Sequence, residues 1–347
     1  MVDVEVVDPN RAGEAVFRGI HEVLSTSQEV DLPDEEPVGY EDVVNQFRNP
    51  FPGLGAAHHW LGRRGGEVVA VATALFPEHD NEHVAIVLLT VHPKVRGQGI
   101  GTTVLRALVP ELTARGRTVV EGIQVGRVGE TWANALGFRT VNTTILQHLR
   151  FADADRSLWD VPVPEGYRVE RWIGAAPNAI VASYAEAKNA IADSPRGEAE
   201  LKERRWTVDL VREDEAVVAA RGIEQRVVVA VHEATDEVVG MTEVWLQPLR
   251  KPWAYQRETT VIAAHRGHGL GRVVKAHMLR GLAGDRPDLV LSVTGTNADN
   301  VHMAAVNHAL GFATVRSMVE VNGTVAGLLE ALGGVDAEQR QAEHEHP

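Results

Sequence analysis

The sequence contains no cysteine. Disulfide bonds, thiolate metal ligands and cysteine nucleophiles are therefore excluded, and this absence favours a cytoplasmic protein. Long apolar runs are also missing: none approaches the roughly 18 residues that a membrane-spanning helix needs. The acidic start MVDVEVVDPN does not resemble a secretion signal. The composition thus predicts a protein without a membrane partner.

Positive charge is scarce, because 34 lysines and arginines face 48 acidic residues and give a formal net charge of −14. Nucleic-acid binding depends on cations that neutralise phosphates, so we expect no DNA or RNA partner. An acidic protein would attract a cationic substrate, although the same charge is explained by solubility alone. Histidines are frequent, but none has the spacing of a zinc site, so no metal is predicted.

Two features of the sequence predict its domain organisation: its length and its internal repeats. Its 347 residues are enough for two domains. The motif RGQGIG (96–101) returns as RGHGLG (266–271), and WANALGF (132–138) returns as VNHALGF (306–312). Such repetition indicates two diverged copies of one unit. We predict a first domain over 1–155, a second domain over 156–330 and a flexible tail over 331–347.

Each glycine motif predicts an anion-binding loop between a strand and an amphipathic helix. Such a turn leaves backbone N–H groups unpaired at the positive end of the helix dipole. Glycines let the backbone approach the anion closely, and Arg96 or Arg266 can add a charge. A plain tight turn is the alternative, which the second copy makes less attractive. No Gly-Lys-Ser/Thr follows, and each loop comes after a fourth strand, which excludes a kinase-type P-loop and disfavours a dinucleotide site.

These motifs resemble the GCN5-related N-acetyltransferase (GNAT) superfamily, whose signature Arg/Gln-x-x-Gly-x-Gly/Ala follows its fourth strand. Each motif matches at its arginine and last two glycines, and each copy also closes with LGF. The resemblance implies an α+β fold of two tandem GNAT-like domains, as in bacterial tandem members, each with a mixed, mostly antiparallel central sheet flanked by helices. It also implies acetyl-CoA as cosubstrate. The residues implied to contact it are Leu89, Thr90, Val91, Arg96, Gly97, Gln98, Gly99, Ile100, Gly101, Thr259, Thr260, Val261, Arg266, Gly267, His268, Gly269, Leu270, Gly271 and Asn300.

Two of these residues have alternative interpretations. His268 would be a spacer in its loop, or its protonation would tune phosphate affinity. Asn300 would contact the pantetheine arm, or it would only cap a helix, since asparagine is preferred at helix N-termini.

Acetyl transfer to an amine needs a base for the ammonium and a proton for the departing thiolate. The family often places a glutamate on the fourth strand. The second copy has Glu258 there and Glu243 on the neighbouring strand, whereas the first copy has Leu88 and Thr73. Either glutamate could instead be a solvated strand residue, and Leu88 is expected to pack in the core. This asymmetry places the predicted chemistry in the second copy.

The tyrosine that the family uses as leaving-group acid is replaced by Ala133 and Asn307. Asn307 is a candidate to hydrogen-bond the sulfur, and substrate or water would otherwise deliver the proton. The predicted function is an N-acetyltransferase that moves acetyl from acetyl-CoA to a primary amine of a small molecule by direct attack in the C-terminal domain. The missing tyrosines keep a non-catalytic acyl-CoA-binding or regulatory protein as an alternative. We expect a monomer, as an internal pseudo-dimer, or a homodimer.

Overall fold

The computed structural model describes residues 1–33, 35, 37–50, 53–249 and 252–333. The chain forms two compact units, and each is discontinuous in sequence. Among the described residues, unit 1 comprises those within 1–142, 197–202 and 318–333, and unit 2 comprises those within 143–196 and 203–317. The predicted domain boundary near residue 155 marks the end of the first sequence repeat. It stays a prediction.

Unit 1 contains a mixed sheet with helices on its faces. Its elements are β1 (Asp3–Val7), α1 (Glu14–Asp31), α2 (Tyr40–Arg48), β2 (Ala56–Arg64), β3 (Glu67–Phe76), β4 (Val84–Val91), α3 (Ile100–Ala114), β5 (Val119–Val125) and α4 (Arg127–Ala135). Strands β1 to β4 are antiparallel neighbours in chain order, and β5 runs parallel to β4. The end of β12 (Ala313–Thr324) completes this unit, because its residues 319–324 pair antiparallel with β5.

Unit 2 repeats this plan. Its elements are β7 (Tyr167–Ile173), α5 (Val181–Asn189), α6 (Val208–Ala220), β8 (Glu224–His232), β9 (Glu237–Leu246), β10 (Trp253–Val261), α7 (Leu270–Asp285), β11 (Leu291–Asn297) and α8 (Val301–Ala309). Strands β7 to β10 are antiparallel neighbours, and β11 runs parallel to β10. Residues 144–150 of β6 (Arg139–Arg150) pair antiparallel with β11. The strand that ends the first sequence copy therefore belongs mostly to the unit of the second copy.

Apolar spacing explains why the helices after the glycine loops form where they do. In α3 the residues Val104, Leu105, Leu108 and Leu112 recur at helical spacing and are all buried. They pack against the sheet of unit 1, and α7 covers the sheet of unit 2 in the same way. Burying this stripe fixes the start of each helix beside its glycine loop.

The mixed, largely antiparallel sheet and flanking helices confirm the predicted α+β fold. Residues 325–333 are helical, and Leu332 is buried in the core of unit 1. The rest of the predicted tail, 334–347, lies outside the described residues. In the part of the chain that the structure describes, no helix is long and apolar enough to cross a membrane.

Candidate functional site

Both glycine loops have the backbone conformation that only glycine adopts easily. Gly99 and Gly269 stand at the N-terminal ends of α3 and α7 with φ of 73° and 74°, and Gly97 and Gly267 also have positive φ. A Cβ at any of these four positions would find no atom within 4 Å. The loops are thus open to an external partner, and the following helix starts direct their free N–H groups toward it.

The arginine of each loop ties the loop to its own unit. Arg96 donates from Nε to the carbonyl of Val91 at 3.0 Å, and its guanidinium pairs with Asp31 at 2.6 Å. Arg266 repeats this arrangement, with Val261 at 2.9 Å and Asp193 at 2.6 Å. The cation in each loop already has an anionic partner, so the free binding groups are chiefly backbone N–H groups.

The pairing with Arg96 changes the pKa of Asp31. Burial alone would raise the pKa of Asp31, but the hydrogen bonds and charge of Arg96 lower it below its usual value. The aspartate therefore remains ionised against Arg96.

The strand before each loop separates from its parallel neighbour. Pairing between β4 and β5 covers only 84–86 with 119–121, and pairing between β10 and β11 covers only 253–255 with 291–293. The residues predicted to contact the cofactor arm, 89–91 and 259–261, lie beyond the paired ends. Each unit therefore has a gap between two parallel strands that ends at the glycine loop.

Four of the other predicted binding residues have local partners. Gln98 accepts a 2.7 Å hydrogen bond from Arg64, and Thr260 donates to the carbonyl of Ala187 at 2.6 Å. The ring of His268 lies beside that of Tyr167 in a tilted contact, with 5.6 Å between ring centroids. Asn300 accepts the backbone N–H of Met303 at 3.1 Å, so its side chain caps α8.

The two predicted glutamates of unit 2 lie on either side of one buried lysine. Lys188 Nζ is 2.9 Å from Glu243 Oε2 and 3.2 Å from Glu258 Oε2. The side chains of Lys188 and Glu243 are 4% and 2% exposed, whereas Glu258 is 22% exposed. Glu258 is therefore the carboxylate of this trio that reaches solvent.

Glu243 accepts three hydrogen bonds. Besides Lys188, Tyr184 donates to Oε2 at 3.2 Å and Trp245 Nε1 donates to Oε1 at 2.5 Å. Burial alone would raise the pKa of Glu243, but the charge and hydrogen bond of Lys188 hold it below its usual value. Burial opposes the charge of Lys188 as well, yet Glu243 raises the pKa of the lysine well above its usual value. Both groups stay charged, and Glu243 has little capacity to accept a further proton.

Strand β10 is irregular where Glu258 lies. Its pairing register with β9 shifts between Gln256 and Thr259, whereas β4 pairs with β3 without a shift. Such a bulge re-aims the side chains within it and is common beside active sites. Arg257 and Glu258 lie inside the shift, which turns Glu258 from the regular alternation of the strand.

Unit 1 has neutral residues at the corresponding positions. Thr73 is hydrogen-bonded to His59 Nδ1 at 2.9 Å, and burial lowers the pKa of His59 to about 4. Leu88 is 39% exposed, so the expectation that it packs in the core is wrong. Its position on the open half of β4, beyond the residues paired with β5, explains that exposure. No carboxylate stands where unit 2 has Glu243 and Glu258.

Asn307 lies in a fully buried polar cluster of unit 2. Its Nδ2 donates to Gln147 Oε1 at 2.8 Å and to Thr296 Oγ1 at 3.1 Å. Sequence reasoning did not find Gln147 or Lys188, because Gln147 is 160 residues from its partner Asn307 and Lys188 is 55 residues from its partner Glu243. Within the described ranges, no group of three or more acidic or histidine side chains could hold a metal ion.

Comparison with known families agrees with this geometry. Residues 21–126 match the family model described as the acetyltransferase (GNAT) family. The mycothiol acetyltransferase of Nocardia farcinica (strain IFM 10152) is 29% identical over 179 residues, which cover 52% of this chain and 55% of that protein. The match thus spans about half the length of this curated relative.

Two solved structures share the fold over most of this chain. A tandem GNAT protein from the clavulanic acid biosynthesis pathway, solved without AcCoA, has a TM-score of 0.77 and 25% identity, covering 94% of this chain and 99% of its own. A GCN5-related N-acetyltransferase from Sphaerobacter thermophilus has a TM-score of 0.67 and 16% identity, covering 93% and 96%, and shows the fold alone.

The chain therefore carries a GNAT-family domain over residues 21–126 and has, over nearly its whole length, the fold of a tandem GNAT protein. This confirms the resemblance inferred from the two glycine loops.

Proposed function

We propose that the protein is an N-acetyltransferase that uses acetyl-CoA and acetylates a primary amine of a small molecule in unit 2. The observation that carries this proposal is the Lys188, Glu243 and Glu258 cluster. Its Glu258 lies on β10, the strand that borders the open gap, and both glutamates have neutral counterparts in unit 1. The curated relative's name and the fold both support acetyl transfer.

The residues present fit acetyl-CoA. Backbone N–H groups at the starts of α3 and α7 would hold the diphosphate. The half of β4 or β10 that does not pair with its parallel neighbour would hydrogen-bond the pantetheine amides. The open space at Gly97, Gly99, Gly267 and Gly269 leaves room for the phosphates. Acetyl-CoA would supply the acetyl group as a reactive thioester.

Glu258 would act as the general base. It is partly exposed, so it can accept a proton from the substrate ammonium, directly or through water, and release it to solvent. The neutral amine then displaces the thiolate, forming an amide and leaving CoA as a thiol after it takes the second ammonium proton. Glu243 is buried, already accepts three hydrogen bonds and would instead hold Lys188 in place.

A small amine that is cationic in solution suits this site. The base is a carboxylate, and the whole chain has a formal net charge of −14. Both favour approach of a positively charged substrate. We also propose that the protein acts in the cytoplasm without a membrane or nucleic-acid partner.

For unit 1 we propose acyl-CoA binding without transfer. Its loop and strand gap match those of unit 2, but Thr73, Leu88 and Ala133 supply neither a base nor a group to meet the thiolate. Unit 1 would then have the non-catalytic acyl-CoA-binding role that the alternative interpretation assigns to the whole protein.

The test is release of CoA thiol from acetyl-CoA in the presence of an amine library, monitored with a thiol reagent. The wild type should turn over acetyl-CoA, and so should Gly101→Asp, because that variant changes only the first loop. Gly271→Asp should abolish turnover. Turnover that survives Gly271→Asp but is lost in Gly101→Asp would place the chemistry in unit 1.

A further inference from the structure

The bulge in β10 brings two residues of opposite charge together in unit 2. The pairing register with β9 shifts between Gln256 and Thr259, so Arg257 and Glu258 both stand opposite Glu243. Two residues that oppose one interrupt the regular alternation of a strand. The neighbours Arg257 and Glu258 are therefore not obliged to point to opposite faces of the sheet.

Contacts show that both side chains lie on the face of the sheet that α5 covers. Glu258 Oε2 is 3.2 Å from Nζ of Lys188, which lies on α5. The guanidinium carbon of Arg257 lies 4.5 Å from the ring centroid of Trp245. Trp245 donates a hydrogen bond to Glu243, and Glu243 accepts another from Lys188. The five side chains thus share one face.

Unit 1 presents only one side chain at the corresponding place. Its strand β4 pairs with β3 without a shift, and the residues that correspond to Arg257 and Glu258 are Val87 and Leu88. Val87 packs against the apolar core that contains α3, so regular alternation leaves Leu88 alone on the other face. The bulge therefore adds a cation beside the carboxylate in unit 2, and unit 1 has no equivalent of it.

Arg257 is placed to meet an anion from outside the protein. Its side chain is exposed, whereas Lys188 and Glu243 are almost completely buried. Stacking on Trp245 uses the flat face of the guanidinium, while its N–H donors lie in the plane and point away from its edge. Such a planar fork of donors matches a carboxylate, which it binds through two parallel hydrogen bonds.

The local charges also favour a substrate that carries both signs. Burial raises the pKa of Glu243, whereas the charge and hydrogen bond of Lys188 lower it and the charge of Arg257 lowers it further. Lys188 and Arg257 together balance Glu243 and Glu258, although the whole chain has a formal net charge of −14. A substrate with an ammonium group and a carboxylate matches this balance better than a simple cation does.

We propose that the acceptor is an α-amino acid whose carboxylate binds Arg257 while its amine faces Glu258. These two residues are neighbours in the chain and oppose the same residue of β9, so the two groups that they bind have to be close together in the substrate. An α-amino acid carries its amine and its carboxylate on one carbon. The inference rests on the proposed function and adds an anionic group to the amine that is acetylated.

The experiment compares a panel of L-α-amino acids with two analogues of each, the carboxamide and the decarboxylated amine, in the CoA-release assay. The carboxamide has a less basic amine than the amino acid and the decarboxylated compound a more basic one, so basicity cannot explain a preference over both. The wild type should have a kcat/KM about 10–100-fold higher for the amino acid, as expected for one charge-assisted hydrogen bond. Most of this difference should be in KM.

Substitutions of Arg257 separate recognition from a structural role. Arg257→Gln should reduce the preference for the amino acid towards 1, and Arg257→Lys should retain part of it, because it keeps the charge without the fork. A purely structural role would lower turnover of all three compounds alike. Arg280→Gln is the control, since it removes an arginine from α7, on the opposite face of the sheet, and should leave the preference unchanged. Thermal unfolding and CoA affinity check that each variant is folded.

Thermal shifts of the CoA-saturated protein with the same compounds measure binding without turnover. Amino acids should raise the Tm of the wild type more than their analogues do, and Arg257→Gln should lose this difference. Equal kcat/KM for the three compounds, or a preference that survives in Arg257→Gln, overturns the inference and leaves acetyl transfer to amines standing. Binding of amino acids that depends on Arg257, without CoA release from any compound, overturns the proposed transfer and leaves the carboxylate subsite standing. A protein that neither binds nor acetylates any compound of the panel overturns both.

Discussion

Lys188 and Glu243 form an ion pair of 2.9 Å between Nζ and Oε2, with both side chains almost completely buried. The ring of Trp206 lies 4.2 Å from the ammonium group, so the lysine is held by a carboxylate and an aromatic face together. Burying two charges costs desolvation free energy, which their mutual attraction offsets. Removing one partner is strongly destabilising, because the other charge then remains buried without compensation.

Lys188→Met should destabilise unit 2 by about 3–5 kcal/mol, the usual effect of removing one partner of a buried pair. Glu243 would keep its hydrogen bonds from Tyr184 and Trp245 but lose its counter-charge. Denaturant unfolding measures the change. Lys188→Met combined with Glu243→Gln should recover part of the loss, since it removes both charges. Equal stability of Lys188→Met and the wild type would contradict the ion-pair assignment.

Lys275 provides a contrast to Lys188, because its replacement is expected to stabilise the protein. It is a buried lysine on α7 that forms no ion pair or hydrogen bond within the described ranges, and burial lowers its pKa to about 7. The unfolded chain therefore binds this proton more tightly, and the stability of unit 2 should rise with pH between about 7 and 10.5. Lys275→Met should stabilise the protein, more at pH 6 than at pH 10. Unfolding curves at several pH values would show this, and a destabilised Lys275→Met at pH 6 would refute it.

The glycine loops could be read from the sequence because their function is local. Gly99 and Gly269 need positive φ at a helix start, and only a short motif is required to specify that conformation. The repeat also indicated that Glu243 and Glu258 would lie on neighbouring strands, and both do.

The segments that belong to each unit could not be predicted from the sequence in the same way. Strands β6 and β12 each begin in one unit and end in the other, and pairing of Gln147 with Thr294 joins residues far apart in the chain. Lys188 lies on a helix whose apolar pattern gives no sign of a buried charge, and its partner Glu243 is on a distant strand. Neither contact follows from spacing or propensity.

The glycine loops give a prediction about stoichiometry. Two molecules of CoA should bind each chain, because both loops have the same conformation. Gly271→Asp should remove one of them: aspartate in the first turn of α7 suits the helix dipole but repels a diphosphate. Gly271→Ala is the control, since its Cβ would lie 3.8 Å from Val261 and fit without strain. Calorimetry or native mass spectrometry counts the ligands, and two bound molecules in Gly271→Asp would contradict the loop assignment.

Glu258 gives the prediction that tests the chemistry most directly. Glu258→Gln keeps the size of the side chain and leaves Lys188 paired with Glu243, so the fold and the affinity for CoA should be retained. The kcat/KM should fall by about 10²–10⁴, the usual contribution of a positioned general base. The loss should shrink as the pH rises, because more of the amine is then neutral before it binds. Leu88→Gln makes the matched change in unit 1, where the side chain is already 39% exposed, and it should leave turnover unchanged. A Glu258→Gln enzyme with normal turnover at neutral pH would show that another group, or water alone, accepts the ammonium proton.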